Sequence, residues 1–215
     1  MATEKTTAHS TTQPRRKRAD GAESLERILD ATAEIAGERG YEGTSISLIS
    51  GRCGLPASSI YWHFRGGKDE LIAAVIDRSF TDWLEAMTLP DESVGDTTER
   101  VRVMSHRISK SLEDHPDFLR LGLMLALERR PDEPAARVAF LRVRHEALSR
   151  LELAARTLLP TLDDAAVAQL TTYSIAVADG LFIAKEIGGD SIDLLAMFDL
   201  HARVLVHLAA ELAQQ

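Results

Sequence analysis

The sequence predicts an all-α protein of about nine helices, an N-terminal three-helix helix-turn-helix domain followed by a larger helical domain. Three observations carry that prediction. Apolar residues recur at three-four spacing along nearly the whole chain, strand-like alternation is scarce, and Gly or Pro interrupts the pattern about one helix length apart. The domain organisation expected is a disordered basic arm over 1–20, a helix-turn-helix domain over 21–70 and a second helical domain over 71–215.

The first helix is expected from Leu25, Ile28, Leu29, Thr32, Ile35 and Ala36, one buried stripe preceded by acidic residues and closed by Gly40 after Arg39. Tyr41, Gly43 and Thr44 make the connection, and Ser45 stands where a cap of the next helix belongs. Ile46 and Ile49 give that helix an apolar edge. Gly54 supplies the left-handed residue that ends it, and Leu55, Ile60 and Phe64 form the inward face of a third short helix closed by Gly66 and Gly67. Lys68, Asp69 and Glu70 then open a fourth, with apolar positions from Leu71 to about Met87.

A loop with Pro90 and Gly95 separates this from helices expected over 101–112, 118–127 and 135–159. The second of these follows His115–Pro116, where proline suits a first turn. Two last helices, about 163–187 and 191–212, are separated by Gly188, Gly189 and Asp190 and should lie antiparallel. Ala176, Gly180 and Ala184 give the first of them a smooth ridge, and Leu194, Leu195, Phe198, Ala202 and Leu205 give the second a broad apolar face. That hairpin is expected to meet its copy in a homodimer, as a four-helix bundle.

The 215 residues, 45% apolar, suffice for a substantial core. No run approaches the roughly 18 uninterrupted apolar residues of a membrane span, and the Thr-rich start lacks the apolar stretch of a signal peptide, so no membrane partner and a cytoplasmic location are expected. The single cysteine, Cys53, rules out an intrachain disulfide and reads as a small buried hydrophobe.

The outward face of the third helix carries Ala57, Ser58, Ser59, Tyr61, Trp62 and His63. Small hydroxyls beside aromatic donors suit a DNA groove better than bulk water. The charge pattern agrees: no acidic residue lies between Glu42 and Asp69, whereas Arg52, Arg65 and Lys68 do. Residues 15–70 balance nine Lys/Arg against nine Asp/Glu, so the net charge of −8 arises in residues 71–215, with 15 against 23. Arg15, Arg16, Lys17 and Arg18 form a cationic run that can order on phosphate and reach a minor groove.

These residues together resemble the TetR family of transcriptional regulators. The likeness runs from about Leu25 to Ile76: Arg39–Gly40–Tyr41, the Thr44–Ser45–Ile46 opening, Ile49 and Gly54–Leu55 at the turn, then Ile60–Tyr61–Trp62–His63–Phe64 and Lys68–Asp69–Glu70–Leu71. The loop Arg65–Gly66–Gly67 is longer by a residue than the commonest family spacing. The resemblance implies that Thr44, Ser45, Ser47, Tyr61, His63 and Lys68 hold DNA phosphates, which fixes register without reading sequence. Base edges would fall to Ala57, Ser58, Ser59 and Trp62.

It further implies a dimer on a palindromic operator, with a small apolar or amphipathic effector in the second domain. Candidate lining residues are Trp83, Met87, Met104, Phe118, Met124, Phe140, Tyr173 and Phe182, with His145 as a polar contact. Enzymatic signatures are missing: there is no G-x-S-x-G, P-loop or H-E-x-x-H, and His201 and His207 fall on different faces of one helix, so no catalytic residue, metal or cofactor is expected. The competing expectation is a helical protein-interaction module that never touches DNA.

Overall fold

A computed structural model describes residues 13–128 and 134–214, with side chains from Gly21 onward apart from Asp82 and Asp117. Its described residues form nine α-helices and two 3-10 turns, without a strand. They are α1 (Gln13–Gly43), α2 (Ile46–Cys53), α3 (Ala57–His63), α4 (Lys68–Ala86), α5 (Thr97–Asp114), α6 (Pro116–Leu127), α7 (Ala135–Leu158), α8 (Asp164–Gly188) and α9 (Leu194–Leu212). The chain divides into two compact units, one through Ile72 and one from Ala73, so the division falls inside α4.

In the first unit, Ile28, Leu29, Thr32, Ile35 and Ala36 of α1 are all buried, as their spacing predicts. Gly40 takes φ 68° and ψ −178°, which ends regular helix there. The expectation of a disordered arm over 1–20 is corrected in part. Residues 13–20 continue α1 toward the N-terminus, because Arg, Lys and Ala are strong helix formers and extending an existing helix is far easier than starting one; residues 1–12 lie outside the described residues.

In the second unit α5 packs against α9 and α6, α7 against α6 and α8, and α8 against α9. Several helices begin where an aspartate cap, rather than the apolar pattern, dictates. α5 starts four residues ahead of the expected Val101 because the Asp96 carboxylate accepts from the Glu99 amide at 2.9 Å. α9 starts later than expected because Gly189–Ser191 form a 3-10 turn and Asp193 caps Ala196 at 2.9 Å. Asp163 does the same for α8, accepting from Ala166 at 2.8 Å.

Close approach of α6 and α7 depends on Gly122, since a Cβ there would lie 2.0 Å from Cε2 of Phe140, a fully buried ring. On α8 the situation is the reverse. A Cβ at Gly180 would meet nothing within 4 Å, so among the described residues no other element covers the expected smooth ridge at that point. On the same helix Tyr173, Ile183 and Ile187 are exposed, Ile187 to 83%, and so are Leu195, Met197 and Leu200 on α9. The segment Asp164–Ser191 is long and apolar enough by length and composition to cross a membrane, and 22% of its apolar window is buried.

Candidate nucleic-acid interface and ligand cavity

The helix-turn-helix is set by its caps. Ser45 accepts from the Leu48 amide at 3.3 Å to start α2, and Gly54, at φ 68° and ψ 20°, donates to the Ser50 carbonyl at 3.0 Å to end it. From α1, Arg27 Nη2 donates to the Cys53 carbonyl at 2.6 Å, tying the last turn of α2. Ser50 Oγ reaches across the turn to the Leu55 carbonyl at 2.6 Å. Pro56 then opens α3 with its φ already near the helical value. Ile49, Cys53, Ile60 and Phe64 are buried beneath it.

That anchoring decides what α3 shows. Ala57, Ser58, Tyr61 and Trp62 are exposed, Trp62 to 74% and Tyr61 to 49%, while Ser59 and His63 are half-buried. The Trp62 and His63 rings meet edge to face at 4.6 Å between centroids. Two large aromatic groups held outward on a seven-residue helix have no role in the core of this unit.

The cations are more committed than the sequence suggests. Arg52 pairs with Glu34 at 2.6 Å and with Glu38 at 3.2 Å, both acids reaching from α1. Lys68 Nζ donates to the Tyr41 carbonyl at 3.2 Å, lies 4.3 Å from the Tyr41 ring centroid and faces Glu42 at 3.7 Å. Arg65 is exposed. Among the predicted phosphate contacts Ser45 and Ser47 are exposed, but Thr44 is not: it is 2% exposed and its hydroxyl donates to the Gly40 carbonyl at 2.8 Å. The expectation for Thr44 is corrected, because the break at Gly40 leaves a buried carbonyl that the neighbouring hydroxyl satisfies.

The second unit holds a cavity of about 710 Å³ of atom-free space, its mouth included. Of the predicted lining residues, Trp83, Met87, Met104, Phe118 and Phe140 lie on it. Trp83 and Phe118 stand 6.2 Å apart, and Phe118 and Phe140 6.0 Å. The other four do not line it. Met124 is 50% exposed on the far side of α6, Tyr173 is 40% exposed, His145 borders an outward groove on α7 and α8, and Phe182 is buried against a different groove with Leu112 and Leu194. In each case the helix phase turns the residue away from the cavity, which single-residue character does not reveal.

The polar groups on the cavity were missed in the sequence. Arg144 and Asp179 form a two-pronged ion pair at 2.9 and 2.7 Å. His201 and Ser174 share a hydrogen bond at 3.1 Å. His201 sits on the apolar stripe of α9 beside Phe198 and Leu205, a position that could have marked it, and burial pushes its imidazole down to about 4, so it is neutral at pH 7. Trp83 Nε1 is buried without a hydrogen-bond partner among the described residues. Among those residues no group of three or more His, Cys, Asp or Glu stands where it could hold a metal.

A model of bacterial regulatory proteins, tetR family, matches residues 28–75, the span that contains α2, the turn and α3. Over those residues the chain is similar to bacterial regulators of the tetR family. An HTH-type transcriptional repressor of Mycobacterium tuberculosis is 30% identical over 112 residues, covering 52% of this chain and 42% of that protein. The HTH-type regulator LmrA of Bacillus subtilis is 38% identical over 79 residues, covering 34% of this chain and again 42% of the relative. The chain thus spans less than half the length of these curated relatives. Among solved structures, a tetR-family regulator from Streptomyces coelicolor superposes with a TM-score of 0.71 at 18% identity, covering 90% of this chain and 83% of that one. At that identity the likeness shows the fold, which both units share with tetR-family regulators.

Proposed function

We propose that the protein is a DNA-binding transcriptional regulator, a repressor that grips a palindromic operator as a homodimer and releases it when a small apolar or amphipathic effector occupies the cavity of the second unit. One observation carries the reading: Tyr61 and Trp62 project outward from a helix whose inner residues Ile60 and Phe64 are buried and whose start is fixed by the turn through Gly54 and Pro56. Ser58, Ser59, Ala57 and Trp62 read base edges, while Tyr61, His63, Ser45, Ser47 and Lys68 hold phosphates. Lys68 reaches phosphate from the start of α4 once it gives up its exposed partner Glu42.

One such helix buries little DNA surface, so two copies act together, their recognition helices about 34–36 Å apart for half-sites one turn apart. The apolar surface around Gly180, Ile187 and Leu200 supports α8 and α9 as the dimer contact. Lipid is the poorer occupant for this surface: α8 also carries Asp179 and Glu186, which pair with Arg144 and Arg120 of neighbouring helices. A cytoplasmic location follows from the need to reach DNA. Effector and operator compete because each favours a different spacing of the two recognition helices, with a coupling of about 1–3 kcal/mol.

Footprinting on genomic fragments, beginning with the DNA upstream of the protein's own gene, tests the reading. It should reveal a protected dyad whose occupancy falls steeply with salt. If no duplex is protected even in dilute buffer, the competing interaction-module reading takes its place.

A further inference from the structure

Only Arg144 and Asp179 carry full charges among the described residues that line the cavity, and they cancel one another. Nη1 and Nη2 of Arg144 each donate to one carboxylate oxygen of Asp179. The pair also stands between two spaces. Arg144, Ile175 and Asp179 line the cavity and, equally, the outward groove on α7 and α8 that holds His145. The remaining wall is aliphatic and aromatic, with neutral hydrogen-bonding groups at His201, Ser174 and Ser105 and the unmatched Trp83 indole N–H.

We propose that the bidentate Arg144–Asp179 pair restricts the cavity to uncharged aromatic or apolar molecules, with Asp179 as the residue that turns anions away. The inference rests on the effector reading given above and names its ligand class. An anion entering this space loses part of its hydration and finds the one cation already neutralised, with the half-buried Asp179 carboxylate repelling it at close range. A neutral molecule meets no such opposition, and an acceptor oxygen on it can take the Trp83 N–H. Removing the carboxylate alone leaves a guanidinium without its counter-charge, a state that draws an anion in. Selection here works by a repulsive element built into the site rather than by an attractive one.

Two fluorescent probes with the same ring skeleton decide the matter: N-phenylnaphthylamine, which is neutral, and anilinonaphthalenesulfonate, which adds one negative charge. The full chain carrying Trp62→Phe leaves Trp83 as the single tryptophan, and the part of its energy transfer that is lost when Ala178→Phe fills the cavity counts as probe bound there. The neutral probe should bind at least about tenfold more tightly than the sulfonate, a gap typical of one unfavourable charge contact. Asp179→Asn should tighten the sulfonate by about tenfold and change the neutral probe by less than about threefold. Adding Arg144→Gln to that variant should abolish the gain.

Equal or tighter binding of the sulfonate to the unmodified cavity overturns charge selection while leaving the effector reading intact. So does a natively folded Asp179→Asn, checked by circular dichroism, that shows no gain. If neither probe draws energy from Trp83, the effector reading falls and the inference with it. Should Asp179→Asn not fold, the ratio measured on the unmodified cavity decides alone.

Discussion

Arg27 and Cys53 join the first helix to the second: the guanidinium Nη2 lies 2.6 Å from the Cys53 carbonyl, at the point where α2 would otherwise end in an unpaired acceptor. A charged donor satisfying a helix end contributes about 1–2 kcal/mol. Replacing Arg27 with Met, which keeps the stem, should lower the melting temperature of the first unit by several degrees and weaken DNA binding without altering sequence preference. Selection of binding sites from a random pool checks the second half. A changed consensus would mean that Arg27 does more than hold the turn in place.

Gly122 and Phe140 make the second unit sensitive to a single methyl group. Gly122→Ala places a Cβ inside the Phe140 ring contact and should cost about 2–3 kcal/mol, at the upper end of ordinary overpacking. Phe140→Leu alone also destabilises, by lost contact. Combined, the two should cost clearly less than their sum, because the smaller side chain relieves the overlap. Urea unfolding of the four proteins measures the coupling.

On the face of α3, Tyr61→Phe should weaken binding to all DNA sequences alike, whereas Trp62→Ala and Ser59→Ala should shift preference at a base pair in each half-site. Binding isotherms against a set of single-base operator variants separate the two kinds of loss. Identical profiles for all three would refute the division between residues that position and residues that read.

His201 gives the second unit an acid-sensitive stability. The unfolded imidazole titrates near 6.5 and the folded one near 4, so between those values the unfolded chain holds more protons and acid favours unfolding. The contribution is complete above about pH 6.5 and is lost as pH falls toward 4. Denaturant unfolding at a series of pH values should show a flatter profile across this window for His201→Gln than for the unmodified chain. Parallel profiles would show that His201 is not the group responsible.

Gly180 offers a clean test of the dimer. Gly180 is exposed and a Cβ built there meets no neighbouring element within 4 Å, so Gly180→Arg, with its long side chain free to extend into solvent, should leave the monomer folded and helical. Placed on the ridge proposed to meet a second copy, the same side chain should turn a dimer into a monomer in sedimentation velocity and reduce operator affinity at least about tenfold. An unchanged sedimentation coefficient would move the dimer contact elsewhere.

The sequence displayed its helices through periodicity, and the turn through Ser45, Gly54 and the run from Ile60 to Phe64. Helix starts were less visible. Asp96 and Asp193 act through one side-chain oxygen each, and such caps compete with a stronger apolar pattern further along. The face of α3 was legible because exposed aromatics on so short a helix are unusual. The cavity was only half legible. Trp83, Met104 and Phe140 announce apolar wall, but Arg144 and Asp179 look like ordinary surface charges until two separate helices bring them together. Thr44 was misread because its partner, the Gly40 carbonyl, becomes an orphan only through a backbone break.

Two of the three cations between Glu42 and Asp69 are held by acids of their own unit, Arg52 by Glu34 and Glu38, and Lys68 by Glu42. Under the proposed reading Lys68 exchanges Glu42 for a phosphate, so Glu42 is an internal rival for the cation that the duplex has to displace before the grip is complete.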